Sequence, residues 1–140
     1  MQWVVFLRGV NVGGANLCRP AEIAKQLAKF GVVNIGAVGT FVVREKVSEA
    51  ILREKIAAQL AKAFGVKCEI MICPARDIVK LASKDPFARQ PSGSDITRFV
   101  SVLARPVSSH VTRHSSLSLP SDKDWLLKII AIQDRFVLGV

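Results

Sequence analysis

The chain has 140 residues, with 20 Lys and Arg against 11 Asp and Glu, a formal net charge of +9 and a mean hydropathy of +0.33. Half of the residues are hydrophobic, which excludes intrinsic disorder, and no apolar run approaches the roughly 18–20 residues of a membrane span. The length fits one domain or two very small ones, with enough buried surface for a core that needs no staples.

Residues 3–8 read as a near-continuous apolar strand, buried on both faces. The run Trp3-Val4-Val5-Phe6-Leu7 stops at Arg8, lacks a basic flank and is too short for a secretory core, so the expectation is a cytoplasmic protein. A glycine-rich stretch from Gly9 to Arg19 follows, and Pro20 opens a helix where its missing N–H costs nothing. Ile23, Leu27 and Phe30 form one apolar face, and Gly31 is the expected left-handed cap. Val32–Ile35 is a short strand, Gly36 and Gly39 bracket a turn, and Thr40–Arg44 is a second, β-branched strand. Ser48 is the expected N-cap of a helix over 49–64 that buries Leu52, Ile56, Leu60 and Phe64, carries a Glu49–Arg53 pair and ends at Gly65.

Val66–Cys73 is the next strand, and Arg76–Ser83 a short helix stopped by Asp85-Pro86-Phe87. The order β-α-β-β-α-β predicts an α+β fold with the ferredoxin-like split βαβ arrangement over residues 1–87. Residues 88–95, with Pro91, Ser92, Gly93 and Ser94, read as a linker. Residues 96–140 read as a smaller strand-rich part packed on or extending the first. It holds a strand over 96–103, a long Ser/Thr-rich loop over 107–124, and a hairpin of 125–132 and 135–140 turning at Gln133-Asp134. Whether this part is a partial second copy of the first layout is left open, because no residue-level repeat is present.

The feature richest in chemistry is Arg8-Gly9-Val10-Asn11-Val12-Gly13-Gly14-Ala15-Asn16. Glycines let backbone N–H groups approach an anion, a following helix N-terminus adds positive potential, and Arg8 and Arg19 supply charge. The spacing is neither a dinucleotide fingerprint nor a Walker loop, and a glycine-rich turn that merely reroutes the chain is an equal reading of the same residues. The candidate site is therefore Arg8, Gly9, Asn11, Gly13, Gly14 and Asn16, with Thr40 on the neighbouring turn.

The same element order is that of an RNA-recognition fold, with Phe6 on the first strand and Phe41 on the third as candidate base platforms. With no Tyr and 6% aromatic residues, core packing is the expectation for both rings. His110 and His114 are four apart, but their Ser/Thr-rich surroundings are no convincing helix and carry no third ligand, so no metal and no cofactor are expected. Asp122 and Asp124 flank Lys123 in the same loop and mark no acid–base pair. Cys18, Cys68 and Cys73 read as structural thiols, with Cys68 and Cys73 on opposite faces of a strand and unable to share a metal.

Leu7-Arg8-Gly9-Val10-Asn11-Val12-Gly13-Gly14 with Asn16, then Phe64-Gly65, Asp85-Pro86-Phe87 and Leu119-Pro120-Ser121 before Trp125, resembles the bacterial domain of unknown function 1697 over nearly the whole chain. The resemblance implies an α+β protein of ferredoxin-like pieces and no particular reaction. Relatives often carry Gln-Ser-Gly-Asn where this chain has Ala37-Val38-Gly39-Thr40, which leaves Thr40 as the polar group of that turn.

Three functional expectations follow. The first is a non-catalytic binder of an anionic ligand at the loop: a nucleotide, a phosphorylated metabolite or a nucleic acid backbone. The second is an enzyme acting on such a substrate at the same loop. The third is an assembly module pairing through an exposed sheet edge. Monomer and homodimer are both open, and no membrane partner is expected.

Overall fold

The computed structural model describes residues 1–10, 14, 18–36, 39–90, 92–107 and 125–140. It mixes helices with antiparallel sheets and divides into two compact units, Met1–Leu81 and Ala82–Val140. The first unit runs β1 (Trp3–Arg8), α1 (Pro20–Gln26), β2 (Val32–Ile35), β3 (Thr40–Val43), α2 (Glu49–Phe64), β4 (Glu69–Pro74) and α3 (Ala75–Ala82). Its four strands lie in the order β2-β3-β1-β4, and every neighbouring pair is antiparallel.

The register divides the side chains between two faces. Val5 stands opposite Phe41 and Ile72, and Phe6 opposite Thr40 and Met71. Directly opposed residues share a face, and neighbours along a strand take opposite faces. Trp3, Val5, Phe41, Val43, Ile70 and Ile72 form one core with Ile23 and Leu27 of the α1 region and with Leu52, Ile56 and Leu60 of α2. The far face carries Val4, Phe6, Thr40, Val42, Met71 and Cys73, with Val33 and Ile35 on β2.

Phe41 is fully buried in the core, as its composition predicts, whereas Phe6 is half-buried on the far face. The expectation of core packing for Phe6 is thereby corrected. Val5 turns toward the helices, so its neighbour must turn away.

Local chemistry accounts for the element ends. The helix expected over residues 20–30 stops at Gln26 and continues as a 3₁₀ turn over Ala28–Phe30, closed by Gly31 at φ 61°. The tighter turn still delivers Phe30 to the core. Ser48 caps α2 by accepting a hydrogen bond from the Ile51 N–H at 3.3 Å, and Gly65 ends the helix at φ 66°. Arg53 bonds Glu49 at 2.7 Å one turn away. β4 starts at Glu69, later than the apolar run suggests, because its ladder partner β1 ends at Arg8, opposite Glu69. Cys68 precedes the strand and packs against the helix-side core, while Cys73 is buried on the far face.

In the second unit β5 (Phe99–Val102), β6 (Ile129–Gln133) and β7 (Phe136–Gly139) form an antiparallel sheet in the order β5-β7-β6. The hairpin turns at Asp134-Arg135, one residue later than the sequence suggests, because Asp134 takes the left-handed conformation at φ 55°, which Asp tolerates better than most residues. The Lys128 and Val140 backbones exchange hydrogen bonds of 2.8 and 2.9 Å, fastening the open end of the hairpin. The expected loop with His110, His114, Asp122 and Asp124 lies outside the described residues. Among the described residues no helix is long and apolar enough to cross a membrane.

Candidate functional site

Strand β1 carries Arg8 to the end of the first sheet. Arg8 lies on the same face as Phe6, two residues earlier, because side chains on a strand repeat every second residue. Across the ladder its partner is Glu69, and Arg8 Nη1 donates to Glu69 Oε2 at 3.0 Å. Both side chains are largely solvated, at 75% and 69% exposure, so the pair is weakly held. A guanidinium has five N–H donors, and Glu69 is the partner that Nη1 reaches among the described residues.

The backbone next to Arg8 is built for close approach. Gly9 takes φ +77°, and a Cβ placed there would meet nothing within 4 Å. Gly14, also at φ +77°, is likewise open and is exposed. The turn before β3 meets β1 at Leu7. The Leu7 N–H donates to the Gly39 carbonyl at 3.2 Å, and Thr40 sits opposite Phe6. Four of the seven candidate residues are thus described: Arg8 and Gly9 at the end of β1, Thr40 on the adjacent strand, and Gly14 in the loop. Asn11, Gly13 and Asn16 lie outside the described residues.

One expected contributor is weak. Helix α1 offers a poor positive end, because it is only seven residues long and begins with Pro20, which has no N–H to present. Its N-cap, Arg19, makes no side-chain capping bond. Sequence reasoning also missed Glu69, which sits in a different segment and is brought to Arg8 only by the β1–β4 register.

Other chemistry in the first unit is structural. Lys29 bonds Gln59 at 3.0 Å, Lys55 bonds Glu45 at 2.6 Å, and both ammonium groups lie over the Phe30 ring, at 5.0 and 5.8 Å from its centre. Burial, and then the neighbouring Cys18, push the Cys68 thiol above its ordinary pKa of 9.0. At neutral pH it therefore stays protonated and is a poor nucleophile. Among the described residues no group of three His, Cys, Asp or Glu side chains is placed to hold a metal ion.

The family model for DUF1697, described as a protein of unknown function, matches residues 1–124. The chain belongs to the DUF1697 family. Arg8, Gly9, Gly14, Thr40 and Glu69 all fall within the stretch that this DUF1697 chain shares with the family model. No curated protein matches the chain, and no solved structure does.

Proposed function

We propose that this DUF1697 chain is a non-catalytic, cytoplasmic binder of an anionic ligand. Arg8, Gly9, Gly14 and Thr40 hold the ligand, together with Asn11, Gly13 and Asn16 of the same loop. The observation that carries the reading is the guanidinium of Arg8, solvated at the end of β1 beside a glycine whose flank is open. A solvated guanidinium with a forked set of donors, next to an exposed glycine at positive φ, suits a phosphate or carboxylate. We also read the first unit as ferredoxin-like. The element order and the antiparallel strand order β2-β3-β1-β4 support that reading. The proposed domain limits are 1–87 and 96–140, joined by 88–95.

Titration with inorganic phosphate and pyrophosphate at low and moderate salt tests the assignment. Binding that persists at moderate salt and drops at least tenfold in Arg8→Ala is the expected result. Equal affinity in Arg8→Ala and the parent chain removes the site.

A second reading has one observation in its favour. Edge strand β2, Val32–Ile35, carries neither charge nor proline, and Val33 and Ile35 are about half exposed. Such an edge can pair with a second copy. Sedimentation showing a monomer at high concentration would dispose of it. The enzymatic reading gains no nucleophile from Cys68, which holds its proton at neutral pH.

A further inference from the structure

Phe6 is left unused by the helix-side core and by the anion reading alone. It lies on the far face of β1, half-buried, with Thr40 opposite it on β3 and Met71 opposite it on β4. Arg8 is the next residue of β1 on that face, about 7 Å further along at the rise of an antiparallel strand. A half-buried aromatic ring and a solvated cation therefore stand on the same face of one strand, two residues apart. The row continues beyond Thr40 to Ile35, which is 49% exposed at the sheet edge.

A bare phosphate would use Arg8 and leave Phe6 idle, whereas a purely apolar ligand would leave the guanidinium idle. A ligand that uses both carries a flat ring and an anionic group a few ångströms apart on one small frame. A nucleoside monophosphate has this form. Its base has a π-face for an aromatic side chain and for a thioether, and its phosphate takes the forked donors of an arginine. One ring and one arginine match one nucleotide unit. A polynucleotide track would need further rings along the face, and Val4, Val42, Val33 and Ile35 supply none.

We infer that the anion held at Arg8 is the phosphate of a nucleoside monophosphate whose base lies on Phe6, between Thr40 and Met71. This rests on the proposed anion site, and the test separates the two. Adenosine 5′-monophosphate, ribose 5-phosphate, inorganic phosphate and a deoxyadenosine decamer are titrated against the full chain by calorimetry. In parallel, saturation transfer is read on the adenine protons.

The expected result is that adenosine 5′-monophosphate binds at least fivefold more tightly than ribose 5-phosphate, with saturation reaching the adenine H2 and H8 protons. Phe6→Ala brings adenosine 5′-monophosphate down to the level of ribose 5-phosphate and leaves ribose 5-phosphate unchanged, while Phe6→Trp keeps the difference. The comparison of ligands on the parent chain needs no variant, so it holds even if Phe6→Ala folds poorly. Equal binding of the two phosphates overturns the nucleotide assignment and leaves the anion site standing. Binding of the decamer alone overturns it in favour of a nucleic-acid surface. No binding of any phosphate removes both the assignment and the site beneath it.

Discussion

Arg8 and Glu69 stand directly opposite each other across the β1–β4 ladder, and their side chains meet at 3.0 Å. Glu69 thus competes with any anion for the Arg8 guanidinium. Replacing it with glutamine removes a negative charge from the rim and keeps the size of the side chain. Glu69→Gln is expected to raise phosphate affinity by up to about fivefold, the range set by the roughly 0.2–1 kcal/mol of an exposed ion pair. The gain should shrink as salt is added, because both groups are solvated. Thermal stability should move little. A lower affinity in Glu69→Gln would mean that the carboxylate positions the arginine instead of occupying it.

Helix α2 depends on a single polar cap. Ser48 Oγ accepts the Ile51 N–H, and a helix start without such an acceptor leaves that donor to water. Ser48→Ala should cost about 1 kcal/mol, read as a lower urea midpoint with an unchanged slope. Ser48→Asp should recover the loss, since an acidic cap also suits the positive end of the helix.

These two sites differ in how far the sequence reveals them. Ser48, the Glu49–Arg53 pair, the Leu52-Ile56-Leu60 stripe and Gly65 are all set by spacings within one segment, and the helix runs over Glu49–Phe64 as those spacings predict. Strand β1 is different. Trp3 to Leu7 are all apolar, so alternation gives no sign of which residues face the helices, and Phe6 is misplaced for that reason. Register decides it, since Val5 pairs with Phe41 and Ile72. Glu69 enters the site by the same route, through a pairing between residues sixty-one positions apart. The limits of β5 and the turn of the last hairpin shift for similar causes: β5, expected over 96–103, pairs with β7 from Phe99 opposite Gly139 to Val102 opposite Phe136, and Asp134 accepts a left-handed backbone.

The Cys68 thiol ties stability to alkaline pH. Burial is the larger cause of its raised pKa, and Cys18 adds to it. The folded chain therefore keeps this proton at pH values where the unfolded chain has lost it. Below the unfolded value of 9.0 the group adds no pH dependence. Above that value stability should fall as pH rises, until the folded thiol also ionises. Cys68→Ala should flatten this part of a stability–pH curve. In the native chain, iodoacetamide should label Cys68 slowly at neutral pH and faster as pH rises, since the thiolate is the reacting form. Fast labelling at neutral pH would contradict a protonated, partly buried thiol.

Gly139 is closely packed on both sides. A Cβ there would lie 2.2 Å from Phe99 Cζ and 2.8 Å from the Lys128 carbonyl oxygen. Phe99 is its direct partner on β5, so the ring covers the space that a side chain at 139 would need. The ring can rotate away at some loss of packing. The carbonyl has less freedom, because the Lys128 backbone is held to Val140 by hydrogen bonds of 2.8 and 2.9 Å. Gly139→Ala should therefore destabilise the second unit by about 1–3 kcal/mol, the usual cost of forcing extra volume into a packed site. The loss should appear as faster amide exchange in β5, β6 and β7, with α2 of the first unit unaffected. Removing the ring as well separates the two clashes. If the ring dominates, Phe99→Ala combined with Gly139→Ala should be less destabilised than the sum of the single variants. If the two changes simply add, the Lys128 carbonyl is the group that requires glycine at this position.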